Sequence, residues 1–212
     1  MCRYAMTSYK SHYACFNCRK TFKRRLEYDL DIADGATVAA KCPQCAGLMA
    51  NMGLDFEAPK QNDTKAWQHI QNLYSVGITF HSCGCSGPGY IPQTTELLIQ
   101  YFERILKDYH ANLKFWRQRT EPTNKKEIDR ERSKYWSFIA KIPGKLHTQN
   151  KTVSTEDAMN YWFGRIKEVE LKLEQIRAAA SGKLGQKQIK KASIAAGFYP
   201  LPLLDLNQRP SD

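Results

Sequence analysis

A chain of 212 residues with 42% hydrophobic and 25% charged side chains has the composition of a folded protein, not of a disordered or fibrous one, and it suits one large domain or two small ones. No stretch approaches the apolar length of a membrane span, and the first six residues hold no apolar run of signal-peptide length, so the expected compartment is the cytoplasm. The formal net charge of +11 is spread along the chain: residues 1–92 carry 10 Lys/Arg against 7 Asp/Glu, residues 93–180 carry 17 against 12, and residues 181–212 carry 5 against 2. That distribution suits general attraction to polyanions, or solubility alone, better than it suits one concentrated nucleic-acid arm.

In chain order, the first ninety residues are rich in Gly, Pro, Cys and short strand-like runs. Asp34-Gly35 is a turn signal between Leu30–Ile32 and Thr37–Ala40, which predicts a β-hairpin; Leu48–Met52 reads as a further strand. Asp63–Val76 predicts a short helix with Trp67, Ile70, Leu73 and Tyr74 on one face, closed by Gly77. Ile78-Thr79-Phe80 resembles a strand leading into a glycine-rich loop, Cys83–Pro92.

After Pro92 the periodicity changes to that of amphipathic helices. Leu98, Phe102, Ile105, Tyr109, Leu113 and Trp116 recur at steps of three and four until Pro122 breaks the pattern. A second helix is predicted from Asn124, capped with the help of Glu127, with Ile128, Tyr135, Ile139 and Ile142 on its apolar side and Pro143-Gly144 at its end. A third begins at Ser154 or Thr155, with Glu156 and Asp157 near its positive end and a stripe of Met159, Trp162, Phe163, Ile166, Val169, Leu173 and Ile176. The expected organisation is therefore α+β: residues 1–92 as one domain, 93–182 as an antiparallel three-helix unit, and 183–212 as a basic tail expected to be partly disordered.

Chemistry is concentrated in the cysteines. Four of the seven form two Cys-x-x-Cys units, Cys15-Phe16-Asn17-Cys18 and Cys42-Pro43-Gln44-Cys45, a pattern that in a reducing compartment points to metal more often than to disulfides. Two thiolates at i and i+3 on a tight turn can face one ion, and two such turns complete a closed tetrahedral site. These residues resemble the zinc-ribbon family over residues 13–52. In that family the second turn usually reads Cys-Pro-x-Cys-Gly, whereas here Ala46 precedes Gly47 and Arg19 follows the first pair. The resemblance implies an N-terminal zinc ribbon holding one structural zinc, with a small α/β extension. A rival is thiol–disulfide chemistry, which also uses Cys-Pro-x-Cys but needs a helix start after the motif, and Ala46–Gly53 is a poor one.

A second constellation, His81, Cys83 and Cys85, alternates along a strand-like segment, and His69 could complete it, giving a possible second metal. The plain alternative makes Cys83 and Cys85 small buried residues of a tight loop. Gly84, Gly87 and Gly89 match no nucleotide-loop pattern. The run Arg19–Arg25 mixes cations with Phe22. Lys20, Lys23, Arg24 and Arg25 could pair with phosphates while Phe16 or Phe22 stacks on a base; alternatively, Phe22 faces the core and the cations face water. Trp116, Trp136 and Trp162 are either helix-core residues or a partner-docking surface. Together these features favour nucleic-acid binding, RNA or DNA, for instance within a ribonucleoprotein. A protein-interaction adaptor comes second, and a metal-dependent hydrolase built on the His81 cluster third.

Overall fold

The computed structural model describes residues 10–25, 40–82, 87–148 and 152–181. The chain is α+β and its contacts divide it into two compact units, one containing the residues up to Leu98 and the other Ile99–Arg177. The predicted hairpin around Asp34-Gly35 and the basic tail lie outside the described residues.

The first unit is organised by a three-stranded antiparallel sheet in the order β2-β1-β3, from β1 (Lys10–Cys15), β2 (Lys20–Arg25) and β3 (Ala50–Gly53). β1 and β2 pair in unbroken register from Lys10↔Arg25 to Cys15↔Lys20, so the first Cys-x-x-Cys unit is the tip of a hairpin. β1 is central, and its Ser11, Tyr13, Ala14 and Cys15 are buried. Buried Ser11 donates to Asn51 Oδ1 at 3.0 Å, which satisfies a hydroxyl that would otherwise be stranded in the core.

The helix expected over Asp63–Val76 is α1 (Thr64–Ser75). Asp63 caps it by accepting from Ala66 N at 3.0 Å, and Trp67, Ile70 and Leu73 are buried. Its C-terminus is a Schellman arrangement: Gly77, at φ +86°, donates to Tyr74 O while Ile78 donates to Leu73 O. The segment 78–80, expected as a strand, is not part of one but meets the end of β3, where Phe80 N donates to Met52 O at 2.7 Å and Asp55 N to Phe80 O at 3.1 Å.

In the second unit, α2 (Thr95–Gln118) and α5 (Thr155–Ala180) run antiparallel. Residue numbers rise along one as they fall along the other: Glu103 pairs with Arg177, Tyr109 with Arg165, and Arg117 with Phe163. The buried face of α5 is Ala158, Trp162, Ile166, Val169, Leu173 and Ile176. Ala158 thus takes the place expected for Met159, and Phe163 is exposed beneath the Arg117 guanidinium. Ser154 caps α5 through Asp157 N, and Glu121 accepts from Thr155 N. Arg119 ties the turn together, forking onto Glu131 at 2.5 and 2.8 Å and donating to Val153 O, in a pair almost wholly shielded from water.

The expected second helix is divided. Asn124 caps α3 (Lys125–Lys134) with Glu127 reaching back, as anticipated, but the helix stops at Tyr135 (φ −119°) and a four-residue α4 (Trp136–Ile139) follows. The break coincides with Phe115 of α2, which stacks flat on Phe138 at 4.2 Å and tilts against Tyr135 at 5.0 Å. The two half-buried rings thus meet Phe115 where the helix is interrupted.

A methyl group on Gly53 (φ +98°) would sit 2.5 Å from the Phe80 carbonyl. Gly53→Ala is therefore expected to cost about 2 kcal/mol or more, lowering the midpoint of urea unfolding; an unchanged midpoint would contradict this meeting of β3 with 78–80.

Candidate metal centre

Cys15 and Cys18 flank the β1–β2 turn, and Cys42 and Cys45 occupy a second turn closed by the Lys41↔Leu48 bridge. In the second turn Ala46 N donates to Cys42 O and Cys42 N donates to Gly47 O, both at 2.8 Å. Arg19 (φ +50°) and Ala46 (φ +55°) occupy equivalent places, each immediately after the second cysteine of its pair, and both are left-handed. They are the positive-φ residues other than glycine among the described residues, in a region that costs a side chain-bearing residue about 1–2 kcal/mol. The departures from glycine seen in the sequence thus preserve the turn geometry at an energetic cost. Gly47 lets the turns meet, since a Cβ there would press on Asn17 Nδ2 at 3.3 Å and Cys45 Sγ at 3.4 Å.

The four sulfurs lie within 4.8 Å of one another, with Cys15 Sγ–Cys45 Sγ at 3.6 Å and Cys18 Sγ–Cys42 Sγ at 4.0 Å. A tetrahedron of thiolates at the usual zinc–sulfur distance of about 2.3 Å has edges of about 3.8 Å. The group could therefore hold one metal ion with little adjustment, and its four thiolates would fill a tetrahedral shell and leave no position for water or substrate.

Electrostatics point the same way. Burial pushes the Cys15 thiol above its usual value. Cys18 is pushed up to about 12, chiefly by the Cys45 thiol and then by desolvation. Burial also opposes ionisation of Cys42, yet the N–H groups of Cys45 and Gln44 and the adjacent thiols bring it down to about 7. Four thiols so close cannot all ionise together without a cation among them, and a bound divalent ion reverses that balance.

The first turn is anchored to α1. Phe16 packs against Trp67 (6.4 Å, edge-on) and Tyr74 (6.0 Å), Arg19 Nε donates to Gln61 O at 2.9 Å, and Gln61 Nε2 returns a bond to Cys18 O at 3.1 Å. Phe22 packs on the cluster of Tyr13, Cys15, Cys42 and Met49. Both rings expected as base-stacking candidates are thus turned to protein, and Phe22 follows the core alternative. No periodic signal marks Gln61, whose role arises only from the approach of the 60–63 loop to the turn.

Lys20 and Lys23 are exposed on edge strand β2, Arg24 is half-buried and donates to Lys41 O at 2.9 Å, and the side chain of Arg25 lies outside the described residues. Cys83 and Cys85 also lie outside them. Of their expected companions, His69 is buried with Nε2–H donating to Pro92 O at 2.9 Å and Nδ1 facing the Thr95 hydroxyl at 3.4 Å, so both ring nitrogens are engaged. Desolvation holds His81 below its usual pKa against the opposing charge of Asp55. Among the described residues, no helix is long and apolar enough to cross a membrane.

Comparison with protein-family models, curated proteins and solved structures finds no match to this chain.

Cys42→Ser is expected to abolish tight metal retention and unfold the two turns while leaving most of the helical circular dichroism, because α2 and α5 bury their own apolar faces. Metal content by elemental analysis and a far-ultraviolet spectrum check this; a variant that keeps a full equivalent of metal would contradict the ligand set.

Proposed function

We infer that the chain is a zinc-ribbon protein that binds nucleic acid, with one structural zinc held by Cys15, Cys18, Cys42 and Cys45. The observation that carries the first half is the pairing of two Cys-x-x-Cys turns, each followed by a left-handed residue, with all four sulfurs within 4.8 Å. Tetrahedral thiolate sites suit zinc or iron; zinc is the reading for a closed site whose work is to hold two turns together. Such thiols stay available to metal in a reducing compartment, which supports the cytoplasm as the setting.

Nucleic-acid binding rests on charge. The chain carries +11, and Lys20 and Lys23 project from the strand that leaves the first turn. Arg24 spends one donor on Lys41 O and keeps others for phosphate. The adaptor reading has its own support in Leu48, 58% exposed beside the second turn, an apolar side chain a protein partner would cover.

Salt separates the two. Phosphate contacts release counterions, so RNA affinity is expected to fall about tenfold or more between about 50 and about 200 mM salt. Lys20→Ala with Lys23→Ala should weaken binding, whereas loss of Lys107, Lys114 and Lys167 elsewhere should weaken it less. Equal losses would leave net charge as the whole explanation, and absence of binding by the parent protein would favour the adaptor.

A further inference from the structure

Helix α3 is ten residues long and none of them is buried. Its sequence, Lys125-Lys126-Glu127-Ile128-Asp129-Arg130-Glu131-Arg132-Ser133-Lys134, holds five cations and three acids, yet the acids are unequally available. Glu127 is occupied at the N-terminus, accepting from Thr123 N and Asn124 Nδ2 at 2.8 Å each. Glu131 is turned inward to Arg119. Asp129 is the remaining acid of the helix, and none of the five cations forms an ion pair among the described residues.

Three of the cations, Lys126, Arg130 and Lys134, stand at i, i+4 and i+8 and so share one face at steps of about 6 Å. Like charges at this spacing destabilise a helix. Arg130 and Lys134 line an open groove with Asp129 and Ser133. Immediately beyond, the break at Tyr135 turns Tyr135 and Phe138 onto Phe115 and leaves Trp136 outside, 56% exposed. The Arg132 guanidinium lies 5.9 Å from its ring centroid, and exposed Lys141 follows just after α4. The other two tryptophans of this unit, Trp116 and Trp162, are buried, so Trp136 is not there to fill the core.

From this juxtaposition we propose that α3 and the turn after it form a binding surface for single-stranded nucleic acid, with Lys126, Arg130 and Lys134 along the phosphates and Trp136 as a stacking platform for a base. A row of cations with an exposed indole at its end combines the two elements of sequence-tolerant single-strand binding: charge along the backbone and an aromatic face for a base. Charge complementarity argues for a polyanion, and against the chain's own residues 181–212, which carry 5 Lys/Arg against 2 Asp/Glu. The inference rests on the nucleic-acid reading above and adds α3 to the contact proposed at the β2 strand.

The experiment measures binding of the full chain to a fluorescein-labelled oligouridylate by anisotropy across a salt series. Trp136→Ala, at a solvent-exposed position, is expected to weaken binding about tenfold, as loss of one stacked base does, while Trp136→Phe keeps most of the affinity. Lys126→Gln, Arg130→Gln and Lys134→Gln together should lower the salt slope by about 2; the Lys107, Lys114, Lys167 variant should lower it less. Equal slopes for the two triple variants, or parental affinity in Trp136→Ala, overturn the proposal. If Lys20→Ala with Lys23→Ala abolishes binding while the α3 and Trp136 variants retain it, this surface is wrong and the nucleic-acid reading stands. If the parent chain does not bind, both fall. Competition by polyglutamate as effective as that by unlabelled oligouridylate would make the surface a general polyanion site and also overturns the proposal.

Discussion

Four thiols held within 4.8 Å of one another set the terms for the first unit. Packing alone does not call for such a cluster, since sulfur atoms gain no more from one another than from any apolar neighbour. Ionising more than one or two of them without a counter-ion is opposed by their mutual repulsion and by burial, which is why Cys15 and Cys18 are pushed up while Cys42 alone is drawn down. A divalent ion would convert this arrangement from a liability to a link: it would take the place of protons, so its binding would weaken as the solution is acidified, and it would tie the two turns directly to each other.

What those segments carry follows from the link. The first turn is the tip of the β1–β2 hairpin and bears Phe16 against α1, while Arg19 and Gln61 exchange bonds across the same approach. The second turn is closed by a single bridge and leads into β3, which pairs with the other edge of β1. Two left-handed residues that are not glycine persist at matched positions. Strain of that kind survives where the surroundings over-determine the backbone, and shared ligation of one ion would be such a constraint.

The parts of this fold that were legible in the sequence are those written locally. The cysteine spacing, the stripes of α1 and α2, and the caps at Asn124 and Ser154 each depend on residues a few positions apart. Strand β1 escaped because both its faces are covered: Ser11, Tyr13, Ala14 and Cys15 are all buried, so no alternation marks it. The break at Tyr135 escaped for a different reason, since Phe115, some twenty positions earlier, supplies the stacking that ends α3. Trp136, exposed just after that break, also parts from Trp116 and Trp162, the buried tryptophans weighed with it as core or docking residues. At the candidate metal centre the four cysteines were readable, but the engagement of Phe16 and Phe22 with protein depends on α1 and on the cysteine cluster itself.

The central claim is that one zinc ion is held by four cysteine sulfurs, and X-ray absorption at the zinc edge of the purified protein tests it most directly. The account predicts a zinc signal whose nearest shell fits four sulfur atoms at about 2.3 Å with no lighter neighbour. A shell containing nitrogen or oxygen at about 2.0 Å, or a folded protein that carries iron or no metal, would contradict it.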